Sequence, residues 1–229
     1  MSLLSPDRRS TESADDLHTL RDVAKTYLGH RSPHVILTGL TIATVLRLFV
    51  GNFGLVDLII VAVSLALVGV VEWVIHLFLL HAPDGSIRDT KLKTGSGHRE
   101  HHLDPSNVGW LMLGPPDAAS FLVMLLVWNA TWPIAIALIF GAPVLATYLS
   151  AVAMSYLLLA NYEWTHLLVH TRYRPKSRYY KRLVSHHRLH HYRNEHHWLG
   201  ITSRIGDKAL GTLPASKSDV PLSDTARTL

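Results

Sequence analysis

Four long apolar stretches, at residues 35–50, 55–79, 118–139 and 144–164, alternate with polar segments that hold nearly all of the charge. At ~1.5 Å of rise per residue, each reads as a helix able to cross roughly 30 Å of hydrocarbon. Gly51-Asn52-Phe53-Gly54 and Phe140-Gly141-Ala142-Pro143 are short turns, so the spans pair as two hairpins. Pro143 suits the first turn of the fourth helix. Pro133 lies inside the third span and predicts a kink, because it removes one helix hydrogen bond.

The basic residues give the hairpins a direction. Of 22 lysines and arginines, five precede the first span, four lie between the second and third, and twelve follow the fourth. Neither short turn carries one, and Arg47 alone lies inside a span. An even number of crossings with every basic segment on one face is a positive-inside pattern. It predicts cytoplasmic termini and a cytoplasmic 81–117 loop. Arg47 is expected to snorkel toward the opposite interface, with Asp57 as its partner. A soluble protein with two buried hairpins would not sort its charge this way. The net charge of +5 is then explained without nucleic acid.

Three regions follow from this layout. Residues 1–33 form a cytoplasmic N-terminal segment, with no apolar run that would mark a secretory signal. Within it, 13–28 reads as a short amphipathic helix with Leu17, Leu20, Ala24, Tyr27 and Leu28 on one face and Gly29 as its stop. It would lie on the membrane or be a mobile tail. Residues 34–213 form the membrane-embedded domain. Residues 214–229, rich in Ser, Asp, Thr and Pro, are expected to be disordered. The fold class is all-α and integral to the membrane: four transmembrane helices in two hairpins under a cytoplasmic helical cap.

Ten of the 16 histidines fall into four clusters beside these spans. They are His76-x4-His81, His98-x2-His101-His102, His166-x3-His170 and His187-x2-His190-His191. Counting helical rise from Leu55 puts His76 about 31 Å along, and counting from Pro143 puts His166 about 34 Å along, so both reach the cytoplasmic edge at similar depth. His98/His102, His166/His170 and His187/His191 are i, i+4 pairs that share a helix face. His76 and His81 stand about 140° apart on an ordinary helix, so they bind different metals or His81 lies where the helix ends before Ala82-Pro83. Ten imidazoles exceed the positions of one ion, and two ions are the economical reading. The chain has no cysteine, which removes thiolate ligands, disulfides and cysteine nucleophiles. His18, His30 and His34 read as ordinary side chains, and His186, His196 and His197 are left open.

Imidazole suits iron, zinc, copper and nickel. Glu72, Glu100, Glu163 and Glu195 lie within about a turn of a cluster and read as orienters of the rings or as surface acids. A two-metal site beneath the lipid headgroups suggests O2 activation and attack on an alkyl C–H bond. The outcome would be an alcohol or an alkene according to how the substrate is held. A metal transporter is the reading from a different class. It would place ligands near the bilayer midplane, and here spans one and three contain no histidine.

At these residues the chain resembles the fatty acid hydroxylase superfamily, which includes sterol desaturases and fatty acid 2-hydroxylases, and is most similar to the 2-hydroxylase branch. The resemblance covers residues 70–213 and rests on EWVIHLFLLH at 72–81, GHREHHLDPSNVGWLMLGPP at 97–116, YEWTHLLVH at 162–170 and HRLHHYRNEHHWLGITSRIGDKALGT at 187–212. It implies that the ten clustered histidines are the ligands of two iron ions, with zinc possible in purified protein. It also implies O2 as co-substrate and a lipid acyl chain as the target. Sterol or carotenoid oxidation and lipid desaturation are alternatives in the same superfamily. No His-Pro-Gly-Gly haem segment stands in the chain, so the resemblance implies a separate electron donor of ferredoxin or cytochrome b5 type. The basic residues from Arg172 to Arg182 would be solvated charge, or would dock such a donor or anionic lipid.

Overall fold

A computed structural model describes residues 12–87 and 95–223. Its elements, in chain order, are α1 (Leu20–Gly29), α2 (Arg31–Val50), α3 (Leu55–Ile75), α4 (Gly95–Leu103), α5 (Val108–Leu111), α6 (Pro115–Asn129), α7 (Trp132–Ile139), α8 (Val144–His170), α9 (Arg178–Tyr192) and α10 (Ile205–Leu210). Among the described residues there is no sheet, only an isolated bridge between Ser13 and Asn107.

Four helical stretches are long and apolar enough to cross a membrane: Arg31–Val50, Leu55–Leu80, Phe121–Ile139 and Val144–His170. The first begins before the apolar run because Pro33 sits in its first turn, where a missing N–H costs no bond. The fourth runs six residues past its expected end, because Leu167, Leu168 and Val169 are buried, the first two in a core cluster with Val23, Val108 and Leu111. That extension keeps His166 and His170 on one continuous helix. Large apolar side chains such as Phe49, which is 92% exposed, and Leu58, Leu138 and Ile139 point outward along the spans. In water such a belt would be a liability; against lipid tails it is the matching surface.

The third span is broken rather than kinked. α6 ends at Asn129, Ala130 and Thr131 form a turn, and α7 restarts with Pro133 in its first turn. Asn129 is buried at this break, and its amide donates to Leu125 O at 2.8 Å and to Ser155 Oγ at 3.0 Å. Proline here starts a helix where it was expected to bend one.

Arg47 reaches the 51–54 turn, where its guanidinium donates to Gly51 O and Asn52 O and pairs with Asp57 as expected; at 4% exposed, however, it is packed within the protein instead of lying in solvent. It meets Asp57 Oδ1 at 2.7 Å and Ser150 Oγ at 2.6 Å, with Phe53 stacked 3.9 Å from its guanidinium carbon. Pairing within the protein replaces the water that the interface would have supplied.

α8 is the hub, touched by α2, α3, α6, α7 and α9. α10 comes closest to α3. A Cβ added at Gly206 would lie 2.3 Å from Gly69 O and 2.6 Å from Trp73 Cβ, and one added at Gly69 would lie 2.3 Å from Ser203 Oγ. Backbone meets backbone about two turns before the first histidine cluster. Gly206→Val is therefore expected to cost about 1–3 kcal/mol through overpacking, read as a fall of ~2–10 °C in thermal unfolding.

The N-terminal segment packs on α5 and the end of α8 rather than lying apart. A capping box between Thr19 and Asp22 starts α1. Ala14, Leu17, Val23 and Tyr27 join Val108, Leu111, Leu167 and Leu168 in one core cluster. Leu20 and Leu28, expected on the inner face, remain exposed, because Val23 and Thr26 take that face instead. Residues 12 and 14 bond to the backbone of 108 and 106, and Tyr27 Oη donates to Ala160 O. At the other end, residues 214–223 return to α9 where disorder was expected. Val220 is 2% exposed, its carbonyl accepts from Arg193 Nε at 2.8 Å, and Ser223 N donates to Arg193 O at 2.9 Å. Residues 1–11, 88–94 and 224–229, including Arg8, Arg9, Lys91 and Lys93, lie outside the described residues.

Candidate metal centre

α3 does not end as an α-helix. Residues His76–Leu80 form a π-helical turn closed by a bond from His81 N to His76 O at 3.0 Å. The wider turn brings a residue five positions on nearly above its start. His76 and His81 therefore stack, with centroids 5.1 Å apart and planes 25° apart. Of the two alternatives the sequence left open, the structure has His81 where the helix ends, just before Ala82-Pro83, and it keeps the pair together. α4 carries His98, His101 and His102, the end of α8 carries His166 and His170, and α9 carries His187, His190 and His191.

The ten rings gather into two adjoining groups. In the first, His76, His81, His98, His102 and His190 bring one ring nitrogen each within 4.8 Å of all the others. Nε2 of His98 lies 3.1 Å from that of His76 and 3.2 Å from those of His81 and His102. Nε2 of His190 lies 3.2 Å from that of His102 and 3.3 Å from that of His81. In the second group, His101, His166, His170 and His187 meet the same criterion. His191 adjoins it, with Nε2 at 3.0 Å from His187 and 3.1 Å from His101. His102 stacks on His191 at 4.2 Å and joins the two halves.

These spacings fit metal ions. Nitrogens about 2.1 Å from one ion stand about 3.0–3.4 Å apart at neighbouring corners of an octahedron or tetrahedron. The opposite edges of three rings are occupied: Nδ1 of His76 faces Leu199 O at 2.5 Å, that of His166 faces Leu111 O at 3.1 Å, and that of His190 faces His197 O at 3.0 Å. A neutral ring that donates from Nδ1 carries its lone pair on Nε2. His166 Nε2 is buried with no hydrogen-bond partner. Lone pairs converging in a buried space are unfavourable unless a cation sits among them.

Three carboxylates hold the segments that supply those carbonyls. Glu72 is buried and accepts from the backbone N–H of Ile201 and of Thr202, the latter at 2.8 Å, and from Thr202 Oγ1 at 2.7 Å. Asp207, 0% exposed, accepts from Leu199 N and Gly200 N at 2.8 Å each and from Thr212 Oγ1. Burial pushes the Asp207 carboxyl above its usual range, against the pull of those three bonds. Trp73 Nε1 donates to Thr212 Oγ1 at 2.7 Å and ties the loop to α3. Glu163 accepts from Leu113 N at 3.0 Å and from the Ser32 hydroxyl, fixing the strand of chain that presents Leu111 O. Glu100 is exposed, and Glu195 accepts from the Ser223 hydroxyl and lies beside His196, outside both ring groups. The sequence marked Glu72 and Glu163 by proximity. It could not mark Leu111, His197 or Leu199, whose contribution is a backbone carbonyl.

The remaining histidines stand outside both groups. His186 contacts Arg204, and burial, with Arg204 and Arg182 beside it, lowers it to about 4. His196 is exposed beside Glu195, and His30 and His34 bond carbonyls of the N-terminal segment.

Burial holds His98, His101, His187, His190 and His191 well below their ordinary value of 6.5, and the neighbouring rings push them further down. They are neutral at pH 7 and ready to ligate. An unfolded chain takes up protons at these positions as pH falls through about 6.5, whereas the folded cage does not. Metal-stripped protein should therefore lose stability from about pH 6.5 downward and gain little above it. Thermal unfolding of the chelated protein between about pH 8 and about pH 5 checks this sign.

A family model described as fatty acid hydroxylase matches residues 60–212, a stretch that contains all ten clustered histidines. Over 152 residues the chain is 30% identical to a dihydroceramide fatty acyl 2-hydroxylase of Arabidopsis thaliana, covering 64% of this chain and 57% of that protein. The chain thus spans a little over half the length of that relative. No solved structure matches the chain significantly.

Proposed function

The chain belongs to the fatty acid hydroxylase family, and from that premise we propose that it hydroxylates the acyl chain of a membrane lipid with O2 at a two-metal centre on the cytoplasmic membrane face. The observation that carries this reading is the pair of nitrogen groups at ligand-edge spacing. His76, His81, His98, His102 and His190 would hold one ion, and His101, His166, His170, His187 and His191 the other. Two iron ions so held supply the O2 activation that an unactivated C–H bond requires; zinc can occupy the same nitrogens in purified protein.

The protein's own part is position. Leu111, His197 and Leu199 carbonyls fix ring orientation through Nδ1, so ring nitrogens face inward before any ion arrives. The cage lies at the ends of α3 and α8, where the acyl chain of a lipid can approach without leaving the membrane. The activity named for the Arabidopsis relative makes carbon 2 of an amide-linked acyl chain the first position to examine.

The test is lipidomics of cells expressing the protein, wild type against His187→Ala. The expected result is a lipid gaining 16 mass units, the mass of one oxygen atom, only in the wild type. A loss of 2 mass units instead, for two hydrogens removed, would reassign the enzyme to desaturation. Identical lipid profiles in the two would remove the oxidative reading.

A further inference from the structure

Beyond the cage, a cleft of about 650 Å³ opens on the cap. Its floor includes three of the cage rings, His170, His187 and His191. Its rim carries Arg172, Arg174, Lys181 and Arg188, all exposed. Arg172 is paired with Asp15 at 2.8 Å, and Asp104, also at the cleft, accepts from Asn107 at 3.1 Å. Lys176, Arg178 and Arg182 extend the basic surface along the approach to α9 and its first turns. Between Glu163 and Glu195 the chain has no acidic residue.

The geometry points to this cleft as the docking surface for a small acidic one-electron carrier protein. The inference rests on the hydroxylase reading, whose chemistry does not balance without it. A lipid C–H bond and the O–O bond break, a C–O bond and water form, and the sum R–H + O2 + 2 e− + 2 H+ → R–OH + H2O needs two electrons that the lipid does not supply. A carrier oxidised twice supplies them. It must come close to the ligands, and here three ligand rings face an opening in the cap. The rim around that opening is cationic and solvated, which suits steering of an acidic partner rather than a tight small-molecule seat.

The experiment uses the full chain, loaded with iron in its membrane, with two arms. In one, electrons come from the soluble haem domain of cytochrome b5 or from a plant-type ferredoxin, each with its reductase. In the other, dithionite reduces the protein once and O2 is added, and the lipid product is counted. The variant is Arg174→Glu with Lys181→Glu, two exposed residues outside the cage. Carrier-driven turnover should fall at least about tenfold and lose its dependence on ionic strength, while metal content and the dithionite product stay as in the wild type. Equal carrier-driven rates in variant and wild type would overturn the docking surface. So would parallel losses in both arms, which would assign the basic rim to lipid binding, and so would a wild type that neither acidic carrier reduces faster than buffer. A wild type that yields no product in the dithionite arm overturns the hydroxylase reading itself, and the docking surface falls with it.

Discussion

His98→Ala is expected to leave about one firmly held ion per chain and to lower hydroxylation more than 100-fold. His98 Nε2 is the most connected nitrogen of its group, within 3.2 Å of three others. Changing residues that merely support ligands typically costs ~10–100-fold in affinity or activity, so loss of a ligand itself should exceed that. Alanine also leaves a buried space lined by nitrogens whose lone pairs then face one another across it. Metal content per chain, measured beside lipid product, checks both halves of the expectation. His34→Ala, at an exposed ring bonded to Leu28 O, should change neither. A His98→Ala protein with two ions and the wild-type rate would end the assignment of this group as a metal site.

Asp207→Ala should have the second-largest effect, through a residue that touches no ring. Its carboxylate satisfies Leu199 N, Gly200 N and the Thr212 hydroxyl in a fully buried place. Each buried group left without a partner costs about 1–3 kcal/mol, so a loss of about 3 kcal/mol or more is expected, a fall of ~6–12 °C in unfolding temperature. The consequence reaches the metals because Leu199 O orients His76. Ion retention should weaken along with stability, and Asp207→Asn, which keeps one acceptor oxygen, should recover part of both. Thermal unfolding and metal content of the three proteins decide it; an alanine variant as stable as the wild type would show that the loop is held by other contacts.

What the sequence conveyed well was whatever depends on local period. Span hydrophobicity and i, i+4 histidine pairs are properties of short segments, and they located the spans and the residues that gather into the cage. Three features escaped because their causes are remote in sequence. The burial of Arg47 depends on Ser150, more than a hundred positions away. The packing of the N-terminal segment depends on which face Val108 and Leu168 leave open to Val23. The return of residues 214–223 depends on Arg193 offering both a donor and a carbonyl. A fourth, the break at Ala130, was half visible: Pro133 announced an interruption, but the same residue can bend a helix or begin one, and only the turn before it decides.

The π-helical turn after Ile75 also bears on which changes in length this sequence can absorb. Each residue added to or removed from a regular helix swings everything beyond it by about 100°, so an insertion inside the other three clusters would throw a ring out of its group. Between His76 and His81 the case is different. Removing one residue there would let the ladder of bonds revert to ordinary four-residue steps while the two rings kept a shared face. A shorter and a longer form of this segment are therefore two spellings of one contact, and natural variation in chain length at the histidine clusters should concentrate here.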